Sequence, residues 1–119
     1  MPPIRVAVAS LPQLLRDIVV GALSSERDME LVGEAPGSQQ LPRLVRESSA
    51  DVAIVACERS EVGRLGSLIN RSPVTLLAII DEGRRGALYE LRPREVDLGE
   101  LSPRVLVNAI RKVAHKNFA

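Results

Sequence analysis

The chain has no tryptophan, one tyrosine, one phenylalanine and one cysteine. With so few aromatic residues there is no platform on which bases or sugars stack, which excludes nucleic-acid binding of that kind. A lone cysteine, Cys57, excludes an internal disulfide and fits a reducing compartment. No excess of one charge is present either. Sixteen Lys and Arg against 15 Asp and Glu leave a formal net charge of +1, and the basic residues stand singly apart from Arg84–Arg85 and Arg111–Lys112. Duplex DNA and anionic lipid are held by clustered cations, so neither is an expected partner of this chain. No apolar run approaches the roughly 20 residues that span a bilayer. The opening "MPPIRVAVAS" lacks the basic region and long apolar stretch of a signal peptide. A cytoplasmic protein with no membrane partner is expected.

What is present is aliphatic patterning. The 119 residues fit one domain with a real core. In "ADVAIVACER", residues 50–59, the apolar run shows no alternation, as expected of a strand buried on both faces of a parallel sheet. Ile4–Ala9, Leu31–Val32 with its flanks, and Val74–Ile80 read as further strands. Between them lie helical periods: Leu11, Leu14, Leu15, Ile18, Val19 and Ala22; Leu41, Leu44 and Val45; Val62, Leu65, Leu68 and Ile69. Leu106, Ala109, Ile110 and Val113 mark a last helix, with Ser102 as its N-cap and Pro103 at its first position. "GRRGALYELRP" is weaker; it predicts a short helix through Ala87, Leu88 and Leu91, stopped by Pro93 and followed by a short strand over Arg94–Leu98. Strand and helix thus alternate five times. The expected fold class is α/β: a flavodoxin-like, doubly wound, five-stranded parallel sheet of order 2-1-3-4-5 in three α/β/α layers.

Three stretches, in order, resemble the response-regulator receiver (CheY-like) family, and most closely its NarL/LuxR-type branch: "IRVAVASLPQLLRDIVVGAL", "ERDMELVGEAPGSQQLPRLV" and "LSPRVLVNAIRKVA". The resemblance covers nearly all of residues 4–115. It implies a regulator that receives a phosphoryl group on an Asp at the end of the third strand, helped by Mg²⁺ held on neighbouring carboxylates, a Lys, and a Ser or Thr. It also implies that residues 1–119 form the N-terminal part of a longer chain, with DNA bound only through a separate helix-turn-helix domain. The chemistry of the family is missing at every matching position. The acidic pair falls on Ala9–Ser10, the phosphoacceptor on Ala56, the Ser/Thr on Ala78, the Lys on Gly99 and the aromatic switch on Val96. The resemblance therefore points to a degenerate pseudo-receiver with no phosphoacceptor, no catalytic residue, no metal and no cofactor.

The remaining candidates each carry two readings. Ser10 is a replacement nucleophile or, with Gln13 three residues on, a capping box for the first helix; no neighbouring base supports the former. Cys57 is a redox site if a cation such as Arg59 lowers its pKa, and otherwise a small buried hydrophobe. Glu58 and Asp81 flank the emptied pocket as a cation pair or as solvated surface. His115 favours the dipole of the last helix and lacks a partner at metal-ligand spacing. Tyr89 is a displaced aromatic switch or a packing residue. No Gly-x-Gly-x-x-Gly, Walker, Gly-x-Ser-x-Gly or Cys-x-x-Cys motif occurs.

The expected function is that of a non-enzymatic signalling module acting through a protein partner or a homodimer. The alternative is a flavodoxin-like small-ligand-binding domain or enzyme without a recognisable motif. For a homodimer, the first helix offers Val20 and Leu23 outside its predicted core stripe, and the last helix offers Val107 and Ala114.

Overall fold

The computed structural model describes residues 3–61, 63–65, 74–80, 85–89 and 95–118; within 85–97 and 113–118 the backbone alone is described. Its strands are β1 (Ile4–Ala9), β2 (Met29–Ala35), β3 (Val52–Ala56), β4 (Thr75–Ile80), β5 (Arg85–Tyr89) and β6 (Glu95–Glu100). Its helices are α1 (Gln13–Ser24), α2 (Leu41–Ser48) and α3 (Pro103–Phe118), and residues 63–65 are also helical. One sheet has the order β2-β1-β3-β4-β5-β6. The first four strands are parallel, in the order 2-1-3-4 expected from the sequence.

The sheet departs from expectation at its far side. Residues 85–89 form a strand antiparallel to β4, where a helix through Ala87 and Leu88 was expected. β6 then pairs antiparallel with β5, and it covers most of the expected strand over Arg94–Leu98. The physical reason lies in β4. All six of its residues are buried, so its outer row of backbone N–H and C=O groups needs partners. Residues 85–89 supply them through register pairs from Leu76↔Tyr89 to Ile80↔Arg85. Leu91 and Pro93 lie outside the described residues.

Alternation along the strands separates two cores. On one face Ile4, Val6, Val8, Val52, Ile54, Leu77 and Ile79 pack against Val19 and Leu23 of α1 and Leu106, Val107, Ala109 and Ile110 of α3. On the other, Ala9, Ala53, Val55, Leu76, Ala78 and Ile80 pack against Leu41 and Val45 of α2 and against Leu65. The second face is lined by smaller residues in β1 and β3, which brings α2 close. Gly33 belongs to that fit: a Cβ there would stand 2.7 Å from Leu44 Cδ1. β2 also carries a bulge, its register slipping by one residue between Leu31 and Gly33.

Polar contacts tie the layers. Arg5 donates its backbone N–H to Asp51 Oδ2 at 2.9 Å, and its guanidinium donates to the Ser48 carbonyl at 3.2 and 2.8 Å. That carbonyl is at the C-terminal end of α2, where a cation is favoured. Arg111 of α3 makes a two-pronged contact with Asp28 at 2.8 and 3.0 Å and reaches Glu26 at 3.3 Å, and these carboxylates hold its pKa above the ordinary value. Arg16 of α1 grips both carboxylate oxygens of Glu34 on β2, and this contact holds the Glu34 carboxyl below its usual pKa. α3 starts as expected, with the Val105 N–H donating to Ser102 Oγ at 3.2 Å.

Candidate functional site

Parallel strands place their C-terminal ends on one rim, where α/β sheets carry ligands. The register lines up Ala9 with Val55 and Val55 with Ala78, and Ala56 with Ile79 one step further out. Ala9 and Ala78 are buried and Ala56 is partly exposed. The central rim therefore presents methyl groups where the resemblance requires an acid, a phosphoacceptor and a hydroxyl. Of the other matching positions, Gly99 lies in β6 with φ +72, a left-handed conformation suited to glycine, and the Val96 side chain lies outside the described residues.

Ser10 sits at the β1 end with φ 59, its amide donating to the Ala35 carbonyl at 3.0 Å. The capping box expected of Ser10 and Gln13 is not formed. α1 begins at Gln13, Pro12 takes the N-cap place with extended backbone, and no side chain caps the helix. The cause is Pro12, which biases Leu11 away from helical backbone and delays the start of α1. Gln13 instead donates to Asp17 Oδ1 at 2.9 Å along the helix.

Cys57 follows β3, and its amide donates to the Ile79 carbonyl at 3.0 Å. It is a free thiol whose pKa is pushed up to about 11, first by burial and then by the charge of Glu61. At neutral pH the group is protonated, the opposite of an activated nucleophile. Glu58 is exposed; its amide donates to Glu61 Oε1 at 3.3 Å and its carbonyl accepts from the Glu61 amide at 2.9 Å, closing a single 3₁₀ turn. Its expected companion Asp81 lies outside the described residues, as do the side chains of His115 and Tyr89. Among the described residues no group of three or more His, Cys, Asp or Glu side chains is arranged to hold a metal ion.

The proposed homodimer residues are placed differently from the prediction. Leu23 is 2% exposed and Val107 6%, and both belong to the core under α1 and α3. Val20 is half-buried, and the Ala114 side chain lies outside the described residues. The residues of α1 that face solvent are Leu14, 75% exposed, and Ile18, 45% exposed. The helix is rotated from its predicted setting so that Leu15, Val19, Ala22 and Leu23 point inward. A groove of about 440 Å³ runs between α1 and α3, lined in part by Ala22, Ser25, Glu26, Arg104, Val107 and Arg111.

No helix among the described residues is long and apolar enough to cross a membrane. No protein-family model matches the chain, and no curated protein matches it.

Proposed function

We propose that the chain is a pseudo-receiver, a regulatory module of a signalling protein that works by contact with another protein and without phosphorylation. The observation that carries this reading is the rim: β1 ends at Ala9 and β3 at Ala56, beside Ala78 and Ile79 of β4, and the resemblance sets Ala9, Ala56 and Ala78 at positions where phosphoryl transfer needs charged and hydroxyl groups. The parallel order 2-1-3-4 supports it; the place beside β4 is taken by the antiparallel β5, with β6 outside it. The neutral thiol of Cys57 supports it too, since a protonated thiol is not a ready nucleophile. In this reading the module is cytoplasmic and controls transcription through a DNA-binding domain of the same regulator.

A thermal-shift series with Mg²⁺, flavins and nucleotides tests the reading. No change in melting temperature is expected with any of them. A shift with a flavin or a nucleotide would replace it with a small-ligand-binding domain or an enzyme.

A further inference from the structure

The sheet is parallel over its first four strands and antiparallel over its last two, and the change falls on residues poorly suited to it. Arg85–Tyr89, with the sequence RGALY, form β5. Arg, Ala and Leu are good helix formers, Ala is a poor strand former, and Gly86 weakens either state. The sequence around them carries a helical period through Ala87, Leu88 and Leu91. The ladder on their outer side is irregular as well. Gly86 pairs with Gly99 and Ala87 with Asp97, so the register passes over Leu98, and Gly99 beside this bulge takes φ +72. Such a conflict between local preference and fold marks a functional or strained place.

The topology offers a second arrangement. β5 is antiparallel both to β4 and to β6, so β6 runs parallel to β4. We propose that Arg85–Tyr89 are a two-state element: they leave the sheet as helix, and β6 moves inward by one strand spacing, about 4.8 Å, to pair directly with β4. The outer backbone groups of β4 are then met by β6 instead of β5, so the exchange leaves no buried edge unpaired. A right-handed crossover fixes where the released helix goes. The connection from β2 to β3 crosses the sheet in the same direction as that from β4 to β6, so the helix falls on the side of α2. There lies the face of β4 formed by Leu76, Ala78 and Ile80, which takes an apolar stripe. On the other side Leu98, half-buried at the flank of the core under α3, comes beside Leu77 and Ile79 and is covered. The use of the element rests on the reading of the domain as a contact module: a partner that touches β6 or residues 85–89 in one form only selects that form, and the surface changes without phosphorylation.

Relaxation-dispersion and saturation-transfer NMR on the isotope-labelled chain read a minor form populated on the order of 0.1–10%. Its α-carbon shifts are expected to be helical at Ala87 and Leu88 and extended from Val96 to Glu100, with no exchange in β1 or β3. A Cβ at Gly99 meets nothing within 4 Å, so Gly99→Ala acts through its left-handed φ alone. That conformation belongs to the bulge against β5, and a regular strand beside β4 does not require it. The substitution should therefore raise the helical population by about 5- to 30-fold. Ala87→Val, β-branched, favours strand over helix and should suppress the exchange. Minor-form shifts of a disordered chain would mean simple release of β5 and overturn the proposal. So would a Gly99→Ala protein in which residues 85–89 stay wholly extended and only the melting temperature falls. Absence of exchange in the unmutated chain and in Gly99→Ala overturns it too. The unmutated chain and Ala87→Val decide the matter if Gly99→Ala does not fold. Each readout is of backbone conformation, so failure here leaves the proposed function standing, because absence of phosphoryl transfer is read by a separate measurement.

Discussion

The middle of the sheet and its C-terminal rim are made from the same parallel strands and differ in what they do. In the middle, Val6, Val52, Ile54, Leu76 and Leu77 are fully buried, and each strand residue packs with a helix layer above or below. At the rim β1 ends in Ala9 and β3 in Ala56, β4 runs two residues past the buried Ala78 to Ile80, and the thiol of Cys57 after β3 is held neutral by burial. Ala9, Ala56 and Ala78 supply none of the charged or hydroxyl groups that phosphoryl transfer uses. Fold and chemistry are separable, because packing acts through shape and area while catalysis acts through a few charged groups.

The sharpest way to break the comparison is to remove packing from the middle. Ile54 is fully buried, and Ile54→Ala should cost about 2–5 kcal/mol in denaturant unfolding. A cost below about 1 kcal/mol would mean that the central strand is not the core described here.

The next effect belongs to the rim. The Cys57 pKa stands at about 11 in the fold against 9.0 for the free group. Between those values the unfolded chain releases a proton that the folded chain keeps, so stability falls as pH rises from about 9 to about 11. Cys57→Ala should flatten that part of the profile. Thiolate absorbance in the folded protein should rise with a midpoint well above 9.0; a midpoint below it would restore Cys57 as a reactive site.

Two serines compare the ends of the sheet directly. Ser10 at the rim and Ser49 after α2 both hold a left-handed backbone, with φ 59 and 53. Glycine adopts that conformation without strain, and Ser10→Gly and Ser49→Gly should each stabilise the fold by up to about 1 kcal/mol. Equal gains would mark Ser10 as structurally equivalent to an ordinary helix end. The smallest effect is expected at Ala56→Ser, which adds a hydroxyl at a partly exposed strand end and should change stability by less than about 0.5 kcal/mol.

Much of this architecture is legible in the sequence. Ile4–Ala9 matches β1 residue for residue, and Val52–Cys57 and Val74–Ile80 each overrun their strands by one residue, because unbroken aliphatic runs admit few other readings. Ser102–Pro103 marks the start of α3 through the cap itself. Two features were hidden. Arg85–Tyr89 is too short and too mixed to announce a strand, and it becomes one because β4 needs a partner for its outer edge. In α1, aliphatic residues spread over more than half the circumference, so periodicity alone does not choose between Leu14 with Ile18 and Val19 with Leu23 as the inward pair. At the rim, the absence of carboxylates is legible from Ala9–Ser10 and Ala56, whereas the left-handed Ser10 and the late start of α1 follow from Pro12 and its neighbours in three dimensions.

The most direct test of the proposed pseudo-receiver reading is intact-mass measurement after incubation with acetyl phosphate and Mg²⁺. The mass of the folded protein should remain that of the unmodified chain over the whole time course. A stable gain of one phosphoryl group on any residue of the rim, Ser10 included, would contradict it.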